Sequence, residues 1–374
     1  MSINIVEEFL KLVAINSPSG AEGELASYLK EKLQQLGAEV YEDGSAKKTG
    51  SNTGNLIARY PGKVAKPTIL LAAHMDTVAS TEGLTPKVRD GIIYSDGNNI
   101  LGADDKAGIA VILGVLHNLQ NNPDLQHGPV ELLLTVQEEV GLKGVKNLDY
   151  PLQADYGYAL DGDGPAGTIV NASPSHITLD LVVEGKAAHA GLAPETGINA
   201  IVVASEAIAG VRSGRLDEET TSNFGLISGG KARNVVAERV EIQAEVRSRS
   251  REKLEKETNI ILAKFEEVTA KHKARLSVNK ELAYEAFTID PAHPVISNAF
   301  KSGQKLGIEV RVQATGGGLD ANILNSRGIP CVALGLGNDK PHTNEEYVIV
   351  SEMEKSVEFI TGILTEAVQN PLSN

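Results

Sequence analysis

The stretch VELLLTVQEEVG, residues 130–141, joins a strongly apolar run to two adjacent glutamates, Glu138 and Glu139. The run is too apolar for a strand with one face in water, and it indicates a strand inside a covered sheet. Neighbouring side chains of a strand point to opposite faces, so adjacent glutamates in a strand would not share a site. We therefore expect one of two arrangements: an ordinary solvated pair, or a strand that ends here and delivers both carboxylates to one site.

The first part of the chain repeats this buried-strand pattern and alternates it with helices. NLIARY (55–60) and TILLAAH (68–74) are further apolar strand candidates, and the helical stretch AGIAVILGVLHNL (107–119) follows them. SGAE, residues 19–22, has the pattern of a capping box that starts a helix. Together these elements predict a layered α/β domain with a covered central mixed sheet.

The pattern changes near residue 174. ITLDLVVEG (177–185) and VEIQAEVRS (240–248) alternate apolar and polar residues, as half-exposed antiparallel strands do. Helical stretches join these strands, and after about residue 285 the buried α/β pattern returns. The sequence thus predicts a catalytic domain interrupted by an inserted α+β lid and dimerisation domain, with segments 1–173 (catalytic), 174–285 (inserted) and 286–374 (catalytic).

Composition excludes several classes of protein. The chain has 374 residues and a formal charge of −14, whereas nucleic-acid binding requires a basic face. Its one cysteine, Cys331, cannot form an internal disulfide and lies in an apolar run typical of a buried thiol. No apolar run reaches transmembrane length, and the N-terminal stretch lacks the features of a signal peptide. We expect a cytoplasmic protein that binds neither nucleic acid nor membrane.

Polar side chains follow the predicted strands. His74 ends an apolar run and Asp76 lies two positions later, a spacing that lets the carboxylate hold the second imidazole nitrogen, as is usual behind a metal-bound histidine. Alone, this pair is better explained by chance. Four further positions or pairs resemble it in placement, namely Asp104 with Asp105, Glu138 with Glu139, Asp161 and His342.

Each of these groups has an ordinary explanation as a helix cap, a turn or a solvated loop. Taken together they favour a site, because all of them fall where α/β sheets bind ligands, at the carboxyl ends of strands. Two histidines with several carboxylates suit zinc or a similar divalent ion. The ligands are too many for one tetrahedral zinc, whereas two metals that share a carboxylate would use them.

The ordered motifs of the chain resemble the family of co-catalytic di-zinc metallopeptidases, and among them its peptidase T-like members. The resemblance covers the whole chain, including the inserted domain. It rests on HMDT (74–77), GADDKAG (102–108), QEEVG (137–141), LDGDG (160–164), AAHAGLAPETGINA (187–200) and the late loop histidine, His342.

This resemblance implies two divalent metal ions, with zinc as the expected metal and cobalt or manganese as alternatives. The implied ligands are His74, Asp104 and Asp161 for one ion, and Asp104, Glu139 and His342 for the other. Asp76 would orient His74, and Glu138 would be the general base that activates a metal-bridging water. A cis peptide bond is implied between Asp104 and Asp105.

The resemblance also assigns substrate-binding residues. His189 would reach the active site of a partner subunit, and Asn234 and Arg247 would bind polar ends of the substrate. The ordinary explanation for His189 is a capping or core histidine, and that for Arg247 is a surface strand residue. Gly318 lies in the loop ATGGGLDAN (314–322), whose glycines would let backbone amides approach the substrate.

The function we predict is hydrolysis of short peptides by an aminopeptidase or tripeptidase. The alternatives are an N-acyl-amino-acid deacylase or a carboxypeptidase of the same family, and a non-catalytic metal or peptide binder. The presence of Glu138 argues against a non-catalytic binding protein, because such a protein needs no residue to transfer protons. The in-trans role of His189 requires a homodimer through the inserted domain, for which the strand ITLDLVVEG is the candidate edge.

Overall fold

The computed structural model describes residues 4–370 and divides into two compact units. Unit 1 consists of the described residues up to Ala172, Thr288–Ala314 and the described residues from Leu319 onward; unit 2 consists of Ser173–Phe287 and Thr315–Gly318. Unit 2 thus interrupts unit 1 along the chain, as an inserted domain does. The short segment 315–318, expected in the last catalytic segment, belongs to unit 2.

The secondary structure is as follows. The α-helices are α1 Ile5–Ala14, α2 Gly23–Gln35, α3 Ala46–Thr49, α4 Ala103–Asn121, α5 Lys143–Lys146, α6 Ala200–Ala209, α7 Arg251–Lys271, α8 Pro294–Leu306, α9 Asp320–Ser326 and α10 Val350–Gln369. The strands are β1 Glu39–Glu42, β2 Leu56–Tyr60, β3 Ile69–His74, β4 Lys87–Arg89, β5 Ile92–Tyr94, β6 Val130–Thr135, β7 Tyr156–Gly162, β8 Thr168–Ser173, β9 Ser175–Glu184, β10 Gly214–Arg215, β11 Thr220–Gly229, β12 Arg239–Ser248, β13 Arg275–Tyr284, β14 Phe287–Thr288, β15 Arg311–Ala314, β16 Cys331–Gly335, β17 Asn338–Asp339 and β18 Tyr347–Ile349.

Unit 1 is built on a mixed sheet with the strand order β1-β2-β6-β3-β7-β16-β8, and β15 pairs with β8. Strands β6, β3, β7 and β16 run parallel to one another, whereas β1–β2, β2–β6 and β16–β8 are antiparallel pairs; β15 pairs parallel with β8. Every residue of β3 and β6 is buried, and so is most of α4. The predicted α/β class with a covered central mixed sheet is confirmed, because these strands have no face in water.

A smaller sheet in unit 1 carries the loop that contains His342. It has the order β17-β18-β5-β4, with antiparallel pairing throughout. The loop from residue 340 to residue 346 joins β17 to β18, so the sheet holds both ends of the loop. His342 is therefore positioned by an antiparallel pair of strands.

Unit 2 is an antiparallel sheet of order β10-β11-β12-β9-β13 with α6 and α7 on one face. Alternate residues of β9 and β12 are buried, as the alternating sequence predicts. The buried side chains of both strands form one apolar core with the helices, which includes the fully buried Phe265 of α7.

Two local predictions are wrong. The strand ITLDLVVEG is not an edge, because β9 pairs with β12 on one side and β13 on the other. Alternation shows that one face is wet, but it does not show whether both edges are paired. The motif SGAE is not a capping box: α2 begins at Gly23, and Ser19 and Glu22 hydrogen-bond elsewhere in unit 1.

Within residues 4–370, none of the helices combines the length and the hydrophobicity that a membrane span requires. The cytoplasmic location stays a prediction.

Candidate metal centre and active site

Three parallel strands deliver polar residues to one edge of the central sheet. His74 is the last residue of β3 and is paired in register with Thr135, the last residue of β6. Asp161 lies near the carboxyl end of β7, which is parallel to β3. Because the carboxyl ends of these strands meet, residues far apart in sequence come together at this edge.

Two groups of potential metal ligands form there, and they share one residue. Within residues 4–370, the groups whose ligand atoms lie within 4.8 Å of one another are His74 with Asp104 and Asp161, and Asp104 with Glu139 and His342. These are the two sets that the sequence resemblance implies. The assignment of metals to them remains a prediction.

The carboxylate of Asp104 lies between two histidines. Its Oδ1 atom is 3.0 Å from Nε2 of His74, and its Oδ2 atom is 3.3 Å from Nε2 of His342. Burial of Asp104 opposes its ionisation, but the contacts with the two histidines outweigh burial and lower the pKa of Asp104. Each oxygen of Asp104 thus faces a different imidazole, which is the arrangement required of a bridging ligand.

The site contains more buried negative groups than the protein neutralises. Burial and the nearby Asp104 raise the pKa of Asp161 well above its ordinary value. Oε1 of Glu139 is buried and lies 3.0 Å from Nε2 of His342, but the two atoms are not in hydrogen-bonding geometry. The carboxylates of Asp104 and Glu139 raise the pKa of His342 to about 10. Carboxylates and imidazoles in such an arrangement fit divalent cations, which supply the missing positive charge.

Buried carboxylates hold the turn that follows β6. The backbone N–H groups of Glu138 and Glu139 donate to Oδ1 and Oδ2 of Asp76, at 2.9 and 3.2 Å. The preceding N–H, that of Gln137, donates to Oε1 of Glu22 at 3.1 Å. Gln137 has a φ of 51°, a left-handed conformation that is uncommon for residues other than glycine. The strand therefore ends before the glutamates, as the sequence suggests for a site.

Asp76 also contacts His74, as predicted, but mainly through its backbone. Nδ1 of His74 lies 2.9 Å from the backbone oxygen of Asp76 and 3.5 Å from Oδ1 of its carboxylate. Ser19 donates a hydrogen bond of 2.6 Å to the other carboxylate oxygen. Asp76 thus contacts the imidazole and holds the turn after β6 at the same time; its role in orienting His74 remains a prediction.

Glu138 is placed in an environment that suits a proton acceptor. Burial, together with the negative charges of Asp320, Glu139 and Asp104, raises its pKa well above the ordinary value despite the opposing effect of His74. A general base works best when its pKa lies near the working pH. The environment of Glu138 moves its pKa in that direction.

Sequence reasoning missed three buried charged residues beside the site. Thr135 donates a hydrogen bond of 2.5 Å to Asp320, whose pKa is raised to about 6 by burial. Glu346 accepts hydrogen bonds from two backbone N–H groups of the segment that carries Asp104. Burial lowers the pKa of Lys106 to about 7. Lys106 and Asp320 lie in the stretches GADDKAG and ATGGGLDAN, but only their burial distinguishes them.

Two of the predicted substrate-binding residues are neighbours in unit 2. Ala190 donates a backbone hydrogen bond to Asn234, and a bridge joins His189 to Val235. His189 and Asn234 are both exposed. The ring of His189 accepts hydrogen bonds from the backbone N–H groups of Gly191 and Leu192, both at 3.2 Å, so its orientation is fixed by its own loop.

Arg247 and Gly318 are also in unit 2. Nε and Nη2 of Arg247 donate to the two carboxylate oxygens of Glu245, at 3.1 and 3.0 Å. A side chain at Gly318 would come within 2.2 Å of Tyr284, so only glycine fits this position without displacement. Both assignments to substrate binding remain predictions.

The peptide bond between Asp104 and Asp105 is cis, as the resemblance implies.

The comparison with known proteins agrees with this geometry. Residues 70–366 match the model of peptidase family M20/M25/M40. The uncharacterised protein YqjE of Bacillus subtilis (strain 168) is 41% identical, over 97% of this chain and 98% of that protein. Peptidase T of Clostridium novyi (strain NT) is 25% identical, over 96% of this chain and 98% of that protein.

Solved structures of similar proteins have the same fold. The aminopeptidase PepT of Bacillus cereus ATCC 10987 is 39% identical, with a TM-score of 0.89, over 97% of this chain and 98% of that chain. A tripeptidase of Staphylococcus aureus subsp. aureus Mu50 is 36% identical, with a TM-score of 0.93, over 98% of both chains.

The chain belongs to peptidase family M20/M25/M40, as a peptidase T-like member. It is a metallopeptidase, a metal-dependent hydrolase of peptide bonds. The resemblance seen in the sequence motifs is confirmed.

Proposed function

We propose that the chain is a two-metal aminopeptidase that cleaves short peptides, as a tripeptidase. The observation that carries the two-metal proposal is the position of Asp104, whose two oxygens face His74 and His342 separately. The tripeptide preference is supported by the similarity to the tripeptidase of Staphylococcus aureus, which extends over almost the whole chain.

Two metal positions follow from the ligand groups. We assign one ion to His74, Asp104 and Asp161, and the other to Asp104, Glu139 and His342. Zinc is our first choice, with cobalt or manganese as alternatives, because all three accept imidazole and carboxylate ligands. Divalent ions held there would lower the pKa of a water molecule and polarise the scissile carbonyl.

Glu138 and Glu139 have different roles in this proposal. Glu139 remains a ligand, whereas Glu138 takes a proton from the attacking water and passes it to the amine of the leaving peptide. The separation of roles is supported by the turn after β6, in which Asp76 binds the backbone of each glutamate through a different oxygen.

We assign substrate binding to residues of unit 2. Exposed His189 would contact the scissile carbonyl in a partner subunit, with Asn234 on the neighbouring loop. Arg247 would bind a substrate carboxylate through Nη1, since its bonds to Glu245 use Nε and Nη2. Gly318 would allow the backbone of its loop to approach the substrate.

A homodimer through unit 2 is supported by an unpaired edge of its sheet. The two-residue strand β10 covers only the start of β11, so among the described residues β11 has a free edge beyond Ser222. Leu226 and Ile227 of β11 are 64% and 55% exposed, and Val202 of α6 is 55% exposed. Free edges and exposed apolar side chains favour pairing with a second copy in a two-fold arrangement.

A substrate panel tests the proposed activity. Metal-reconstituted protein is incubated with an unblocked tripeptide, the same tripeptide acetylated at its N-terminus, a dipeptide and an N-acetyl amino acid. We expect release of the N-terminal residue from the unblocked tripeptide, and loss of activity on acetylation. Preferred cleavage of the N-acetyl amino acid would identify a deacylase, and release of C-terminal residues would identify a carboxypeptidase. The absence of any cleavage would identify a non-catalytic binder. Metal-free protein is the control.

A further inference from the structure

A buried carboxylate that the proposed mechanism does not use lies directly behind the candidate metal centre. Glu346 is 1% exposed. Its Oε2 atom accepts a hydrogen bond of 2.7 Å from the backbone N–H of Gly102, and its Oε1 atom accepts one of 3.0 Å from that of Asp104. Both carboxylate oxygens thus bind the segment that carries the shared ligand.

The same residue is tied to the loop of the other ligand. Glu346 lies four positions after His342, at the end of the loop between β17 and β18. Its backbone oxygen accepts a hydrogen bond of 3.1 Å from the N–H of Ser95, beside β5. His342 and Lys340 have φ values of 63° and 54°, which residues with side chains adopt only when their surroundings hold them.

Glu346 therefore connects two segments that are about 240 residues apart in sequence but adjacent at the site, since its hydrogen bond to Asp104 spans 242 positions. Strands β17 and β18 hold the ends of the His342 loop, and Glu346 adds a direct hydrogen-bonded connection from this loop to the Asp104 segment. The distance of 3.3 Å between Oδ2 of Asp104 and Nε2 of His342 depends on both segments being held in place.

We propose that Glu346 is a positioning residue that sets the separation of Asp104 and His342, and thereby the affinity of the metal position that these two residues form with Glu139. This inference rests on the proposed two-metal centre. Groups that hold a metal ligand in place typically change metal affinity by about 10–100-fold when they are replaced. Glu346 holds the segments of both Asp104 and His342. Its replacement should therefore lower the metal affinity mainly at the position formed by Asp104, Glu139 and His342.

A different explanation is that Glu346 only compensates the charge of buried Lys106. Lys106 donates a hydrogen bond of 2.7 Å to the backbone oxygen of Ile15, and Glu346 is its electrostatic partner. A charge-compensating role requires a negative charge but no defined length of side chain. A positioning role requires the carboxylate to reach both backbone N–H groups.

The test uses two replacements of Glu346 and one matched control in the full-length protein. Glu346→Gln keeps the shape but turns one acceptor into a donor, which cannot bind a backbone N–H. Glu346→Asp keeps the charge but withdraws the carboxylate by one methylene. The control is Glu345→Gln, since the neighbouring Glu345 is exposed and pairs with Lys340 at 2.5 Å.

Isothermal titration of each metal-free protein with Mn²⁺ or Zn²⁺ gives the stoichiometry and affinity of each position, and thermal melting of the metal-free proteins reports the fold. We expect two ions in the wild type and in Glu345→Gln. In Glu346→Gln and Glu346→Asp one position should weaken about 10–100-fold, with a much smaller change at the other. Peptidase activity should return when excess metal is added.

Two results would overturn the inference. One is wild-type affinity at both positions in Glu346→Gln. The other is wild-type affinity in Glu346→Asp with loss in Glu346→Gln, which would leave only the charge-compensating role. If Glu346→Gln does not fold, the affinities of Glu346→Asp decide the question. Fewer than two ions in the wild type would instead contradict the proposed metal centre itself.

Discussion

Oδ1 of Asp76 lies 2.9 Å from the backbone nitrogen of Glu138, in the turn that follows β6. The backbone N–H of Glu139 also donates to Asp76, and that of Gln137 donates to Glu22. Two buried carboxylates therefore bind three successive backbone N–H groups. Hydrogen bonds to ionised acceptors are stronger than neutral ones. This turn explains how adjacent glutamates can serve one site with different roles.

Replacement of Asp76 with Asn should reduce activity more than metal content. Asn has one acceptor oxygen, so one backbone N–H in the turn loses its partner. A hydrogen bond to a charged group is worth about 1.5–3 kcal/mol, which corresponds to about 10–100-fold in kcat/KM. The kinetic measurement is made at saturating metal. Ser19→Ala, which removes only a hydroxyl contact to Asp76, should have a smaller effect, and equal losses in the two variants would contradict this account.

Replacement of Glu22 with Gln should destabilise the fold. Glu22 is fully buried and accepts hydrogen bonds from the backbone N–H groups of Gly20 and Gln137 at Oε1 and from the hydroxyl of Ser51 at Oε2. A neutral amide would replace these charge-assisted hydrogen bonds with weaker ones. We expect a loss of about 1–3 kcal/mol in the free energy of unfolding, measured with urea. The matched control is Glu24→Gln in the first turn of α2, where the side chain is exposed and the change should be near zero.

A charge on the free edge of β11 should dissociate the proposed dimer. Leu226→Lys places an ammonium group where we expect an apolar contact between two copies, whereas Leu306→Lys changes a similarly apolar but unrelated exposed residue of α8. Sedimentation of the two variants at several concentrations should give a monomer for the first and a dimer for the second. A dimer of unchanged affinity in Leu226→Lys would exclude this edge as the interface.

The proposed role of His189 in a partner subunit predicts complementation. His189→Ala and Glu138→Gln should each be nearly inactive with normal metal content. In a mixture that exchanges subunits, one site of each heterodimer would have both residues intact, so about half of the activity of a wild-type dimer should return per heterodimer. Subunit exchange without recovered activity would show that His189 does not act across the interface.

Much of the site could be predicted from the sequence because its residues follow buried strands. His74, Glu139 and Asp161 all lie at or just beyond the carboxyl ends of parallel strands, and parallel strands bring their carboxyl ends to one edge of the sheet. Apolar runs without polar alternation reveal such strands directly. The covered central sheet and the candidate ligands could be predicted for the same reason.

Other features depend on contacts that no local pattern records. Ser19 and Glu22 have the spacing of a capping box, but Ser19 donates to the distant carboxylate of Asp76. Glu22 accepts from the buried backbone N–H of Gln137, which requires an acceptor. The pairing of β9 on both sides depends on where β13 returns along the chain. Glu346 resembles any other loop glutamate until its burial against the segment of Asp104 is known.

The central claim is tested most directly by the metal content and the tripeptide turnover of Glu138→Gln, measured on the same preparation. Glu138 is outside both ligand groups, so we expect two ions per chain, as in the wild type, and a loss of turnover of at least about 100-fold, the typical contribution of a general base. Loss of metal from Glu138→Gln, with activity per bound metal retained, would contradict the account and show that the roles of the two glutamates are wrongly assigned.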